Sequence, residues 1–130
     1  MKCKSVLKQP NHAPEIIEIE ITEDNICHID TAHGTELNNM ELSFKNTSLQ
    51  FLKLQNNIYA VSITTKGIYQ DEGDTFSPYY TYPLEKNITM NDITIYGDVL
   101  VVGIYNEKVF TLSIAEADKC IKLLNGFDKK

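Results

Sequence analysis

Five of the twelve aromatic side chains in this 130-residue chain fall between Tyr69 and Tyr82: Tyr69, Phe76, Tyr79, Tyr80 and Tyr82. Gly73, Ser77, Pro78 and the acids Asp71, Glu72 and Asp74 are interleaved with them. Tyr joins a large contact area to few rotamers and a polar tip, so recognition surfaces favour it among Ser and Gly. Long stretches without periodic pattern also tend to carry function. The chemistry this implies is non-covalent binding, with Lys66 and Lys86 nearby as cationic donors. The alternative is that the rings fold back over the sheet and cap an open core.

Other constellations are weaker. Cys27, His28 and His33 are the first candidates for metal ligands. Adjacent side chains on a strand point to opposite faces, so Cys27 and His28 do not converge on one ion. A zinc site needs three or four ligands, and no CxxC or HxxxH pair supplies them. Neither a metal nor a cofactor is expected. A cysteine nucleophile would need a base and an orienting group brought beside it. No motif surrounds Cys3, Cys27 or Cys120, so no catalytic residue is assigned and the chain is not read as an enzyme. Asp71, Glu72 and Asp74 lack the alternating spacing and final bidentate Glu of a calcium loop, and read as a solvated turn. Gly97 and Gly103 flank an apolar strand without any phosphate-cradling pattern, so Gly97 reads as a turn and Gly103 as a bulge or a close contact.

The elements that would position these residues are mostly strands. Residues 4–8 suggest a short strand, and Pro10 to Pro14 a turn. In 15–22, Ile17, Ile19 and Ile21 alternate with Glu18, Glu20 and Thr22, the period of a half-buried strand. Its acidic face is expected to meet solvent or a Lys-bearing neighbour. A short strand follows over 26–30, and 31–39 reads as a helical turn or a loop around Gly34. Met40, Leu42 and Phe44 alternate with Glu41, Ser43 and Lys45, predicting another strand. Leu49, Phe51 and Leu54 continue with a break in phase, and 58–64 forms a further strand. Between about 65 and 91 the pattern dissolves, which predicts a Tyr-rich loop or an extended hairpin. Strands return at 93–96, at 99–102, where the continuous apolar run suits burial on both faces, and at 109–112. Ser113 and Glu116 form a capping box. Ile114, Ala117, Cys120, Ile121 and Leu124 follow as one apolar stripe at helical spacing. Gly126 is expected as the left-handed residue that ends the helix, and Lys119 and Lys122 suit its C-terminal half. The fold class is therefore α+β: an antiparallel meander of short strands with one C-terminal amphipathic helix, read as a single domain over 1–130.

Composition narrows the partners. The net charge of −6 disfavours nucleic acid and anionic membrane surfaces. All twelve basic residues are Lys. Without Arg, a phosphate site would have to rely on point charges, amides and hydroxyls. No apolar run approaches the roughly 20 residues that span a bilayer. The start of the chain lacks an apolar signal region, so three unpaired cysteines and the sequons at Asn46 and Asn87 are read in a reducing, cytoplasmic setting.

In the C-terminal third, Ile95 to Gly103 followed by Val109 to Ser113 resembles an uncharacterised family of small phage and plasmid proteins. Its members share an ending of glycine, apolar strand, glycine, hairpin and capped helix. The strand, Pro turn and Glu-rich strand over 4–22 resemble the start of those proteins, and the stretch 31–91 departs from them. The resemblance implies a phage or mobile-element setting, and with it the host cytoplasm.

The leading expectation is a non-enzymatic binding protein that inhibits a host component, such as a defence effector, through Tyr69, Phe76, Tyr79, Tyr80 and Tyr82, with Lys66 and Lys86 in support. A second is a protein that sequesters a small nucleotide signal, the aromatics stacking a base. A third is a small enzyme using an acid from the loop with Tyr as proton donor, and a fourth a structural subunit. Exposed sheet edges make a homo-oligomer an added expectation.

Overall fold

The computed structural model describes residues 1–63 and 85–127. Its elements in chain order are β1 (Lys2–Lys8), β2 (Glu15–Ile21), β3 (Cys27–His28), β4 (Leu49–Gln55), β5 (Ile58–Ile63), β6 (Lys86–Met90), β7 (Ile93–Tyr96), β8 (Val99–Tyr105), β9 (Lys108–Phe110) and α1 (Ile114–Phe127). The architecture is the expected α+β: mainly antiparallel sheet, with one helix at the C-terminal end of the described residues.

Strand β8 organises the sheet. Its residues Val99 to Ile104 are all buried, because both faces are covered. Leu100, Val102 and Ile104 join one core, while Val99 and Val101 join the other. Around it the order is β3-β2-β1-β8-β5-β4, every neighbour antiparallel. One edge of β8 serves two partners in turn. Val99 to Val101 pair with Lys8 to Val6 of β1, and Gly103 to Tyr105 pair with Phe110 to Lys108 of β9. Gly103 leaves room at that junction for the Phe110 ring. A Cβ there would lie 2.3 Å from the Phe110 ring, far inside contact distance, so the close approach foreseen at this glycine is to an aromatic side chain.

The alternating isoleucines of β2 do face a core. Their acidic neighbours meet a Lys-bearing strand: Glu20 stands opposite Lys2, and Glu18 opposite Lys4. The phase break in β4 is a register shift between Lys53 and Gln55. Two hairpin turns, Asn91-Asp92 and Asn106-Glu107, place both central residues at positive φ, the two-residue geometry whose twist matches paired strands.

Each face of the sheet has its own cover. On one lies an irregular stretch with the 3-10 turn Thr31–His33, closed by Gly34 in the left-handed region; it buries Leu37 and Leu42 completely. On the other lie α1 and the hairpin β6–β7, which supply Ala117, Cys120, Leu124, Ile88, Met90 and Ile95 to the second core.

Three local expectations need correction. Residues 40–45 do not form a strand. Only Glu41 makes a bridge, with Ile26, because a strand needs a neighbour that takes every second amide and none continues here. Gly126 does not end α1, which runs through it to Phe127. The packed stripe of α1 is Ala117, Cys120 and Leu124, with Ile121 partly covered. Ile114, in the first turn, is 65% exposed. Residues 86–90, at the end of the stretch read as a loop or an extended hairpin, form β6 and pair with β7.

Candidate functional site

The Tyr-rich stretch joins β5 to β6, so the site is built from the two places where it is rooted. Ser62, near the end of β5, stands opposite Val99, and Val99 stands opposite Lys8 on its other side. Ser62, Val99 and Lys8 therefore lie side by side at one end of the sheet. On the return side, the Gly97 amide donates to the Glu85 carbonyl (2.8 Å). The Asn11 side-chain amide, from the β1–β2 turn, donates to Glu85 Oε1 (3.2 Å). Gly97 at φ +83° makes the reversal from β7 into β8, a conformation that favours glycine.

A buried polar pair closes this end. Lys8 has no exposed surface. Its position follows from strand alternation: two residues from Val6, its side chain shares the face that the hairpin covers. Its ammonium donates to the Gln9 carbonyl (2.9 Å) and to Asn87 Oδ1 (3.0 Å). Asn87, 6% exposed, returns both amide hydrogens, to the Lys8 carbonyl (2.8 Å) and the Gly97 carbonyl (2.7 Å). Burying an ammonium is costly unless it is hydrogen-bonded, and removing one partner costs more than the bond is worth. This pair thus specifies how the hairpin sits on the sheet.

Further polar contacts tie the irregular cover to the same end. The Gln9 amide donates to the His33 carbonyl (3.0 Å) and, more weakly, to Asp98 Oδ2 (3.4 Å). His33 Nδ1 lies 3.8 Å from Glu15 Oε2. The end of the sheet at which the Tyr-rich stretch enters and leaves is therefore a continuous polar platform.

Of the sequence-assigned binding residues, Lys66, Tyr69, Phe76, Tyr79, Tyr80 and Tyr82 lie outside the described residues. Lys86 opens β6 opposite Tyr96, exposed and beside the platform. Cys27 and His28 are separated as strand geometry requires: Cys27 is fully buried and His28 is exposed. The Cys27 thiol donates to the Leu37 carbonyl. Burial raises the pKa of Cys3, Cys27 and Cys120, the last to about 11, which leaves all three as poor nucleophiles near neutral pH. Among the described residues no three His, Cys, Asp or Glu side chains come together as a metal site. No described helix is long and apolar enough to cross a membrane. The sequon residue Asn87 has its amide committed inside the fold.

A cleft of about 620 Å³ lies elsewhere, between the end of β2 and β9. At its edge the Met1 ammonium donates to Glu20 Oε2 (2.7 Å) and to the Ile21 carbonyl (3.1 Å).

No protein-family model, curated protein or solved structure matches this chain. The residues that sequence reasoning missed are Lys8, Gln9, Asn87 and Asp98. A signal existed for Lys8, which follows Val6 and Leu7 in a strand and shares the phase of Val6. Nothing in the sequence marks its partner Asn87, 79 residues away.

Proposed function

We propose that this chain is a non-enzymatic binding protein that occupies and inhibits a protein partner through the Tyr-rich stretch 69–82. The observation that carries the reading is the density of aromatic residues there, amid Gly, Ser and Pro, in a chain whose described elements are mostly short strands. Support comes from the platform at its roots. Ile63 ends a strand that is paired on both edges, and Glu85 accepts two hydrogen bonds, from the Gly97 amide and the Asn11 side chain. Pre-organised anchors reduce the ordering cost of binding. The resemblance of the C-terminal third to small phage and plasmid proteins makes a host defence component the partner to try first. Lys86, exposed at the start of β6 next to the platform, supports the reading as a cationic neighbour of that stretch.

The reading is tested by presenting immobilised wild-type chain and a Tyr79→Ala, Tyr80→Ala, Tyr82→Ala variant to the same host lysate, with thermal melts of both. Capture of a defined protein by the wild type alone, at unchanged Tm, is the expected result. Equal capture by both proteins would remove the stretch as the site.

A further inference from the structure

We infer that the β6–β7 hairpin is a flap that lifts from the central sheet as one unit, with the Lys8–Asn87 pair as its latch and Gly97 as its pivot. The two strands form a sheet of their own: β6 pairs only with β7, and among the described residues no backbone hydrogen bond joins either to the seven-stranded sheet. An isolated two-stranded hairpin is marginal in water. Its ties to the rest of the fold include apolar packing and a polar pair. Ile88, Met90 and Ile95 pack into the core beneath α1, and Asn87 reaches across to Lys8.

The connection that would have to move is short and suited to moving. Gly97 and Asp98 alone link β7 to β8, and Gly97 lies in the left-handed region, where glycine has freedom that other residues lack. At the other end of the hairpin, Asn91 and Asp92 form the turn that joins β6 to β7. Strand β8, by contrast, is hydrogen-bonded on both edges. Units with few cross-links to the rest of a fold open below the global unfolding free energy. The hairpin has the composition of such a unit, and β8 does not.

Native-state hydrogen exchange of the full chain, followed residue by residue by NMR, tests it. In the wild type, protected amides of β6 and β7 are expected to exchange at least tenfold faster than those of β5 and β8. Their rates should depend only weakly on urea. Asn87→Ala should speed β6 and β7 about tenfold more while changing β5 and β8 by less than threefold. Exchange of the hairpin at the rate and urea dependence of β8 would overturn the flap, as would an Asn87→Ala variant that accelerates all four strands alike. The wild-type urea series decides the matter alone if Asn87→Ala does not fold.

Discussion

The two covers of the central sheet do the same task by different means. On one face, α1 and the β6–β7 hairpin bring regular elements whose backbone groups are satisfied within themselves. On the other, residues 29–45 bury Leu37 and Leu42 as deeply as α1 buries Leu124, with almost no regular structure. Their backbone is satisfied piecemeal. Asn38 Oδ1 accepts from the Ile29 amide (2.7 Å), and Thr35 Oγ1 from that of Leu37 (3.2 Å). The Asn39 amide donates to the Cys27 carbonyl (2.7 Å), and that of Leu42 to the Asn25 carbonyl (2.8 Å). A loop can therefore serve as a core layer if short polar side chains take over what a ladder would supply. The difference should appear in how each cover responds to loss of a side chain.

Removing apolar volume should separate the covers most. Leu124→Ala opens a cavity beneath a helix that cannot easily close it, and should cost about 3–5 kcal/mol. Leu42→Ala removes the same atoms from a segment with more ways to settle, and should cost about 2–3 kcal/mol. Urea denaturation of the two variants measures this, and equal losses would mean that the irregular cover is as rigid as the helix.

A smaller effect comes from the polar caps. Ser113 and Glu116 bond reciprocally at the start of α1 (2.8 and 3.0 Å), and Ser113→Ala should cost about 1 kcal/mol. Asn38→Ala leaves the Ile29 amide without its acceptor in a partly buried site, and should cost about 1–3 kcal/mol. If Asn38→Ala were the milder change, water would be replacing the side chain, and the irregular cover would be looser than its hydrogen bonds suggest.

The smallest effect is pH dependence, through the buried thiol that α1 carries. Burial pushes Cys120, under α1, up from 9.0 to about 11. A thiol whose folded-state pKa is raised favours the folded chain fully below pH 9, and that contribution is lost as the pH rises from 9 through about 11. Denaturation midpoints of the wild type should therefore fall over this window more than those of Cys120→Ala. Parallel curves would show that the thiol titrates in the fold as it does in water.

Much of the regular half was legible in the residues. Ser113, Glu116 and the spacing of Ala117, Cys120 and Leu124 specify a capped amphipathic helix whatever surrounds it. The unbroken apolar run from Val99 specifies a strand covered on both faces. Alternation in 15–21 and the Asn-led turns are equally local. The strand expected at 40–45 shows the limit: Met40, Leu42 and Phe44 have the right period, but period does not supply a partner strand.

What the sequence determined by itself is thus the kind of each element and the concentration of aromatic residues in one stretch, because backbone propensity, side-chain period and turn chemistry act over a few residues. Only the tertiary structure decided that Lys8 is buried, that Asn87 meets it, and that the ends of the Tyr-rich stretch emerge on a shared polar platform. Those facts depend on strand pairings and packing between residues far apart in the chain, whose partners no local pattern names.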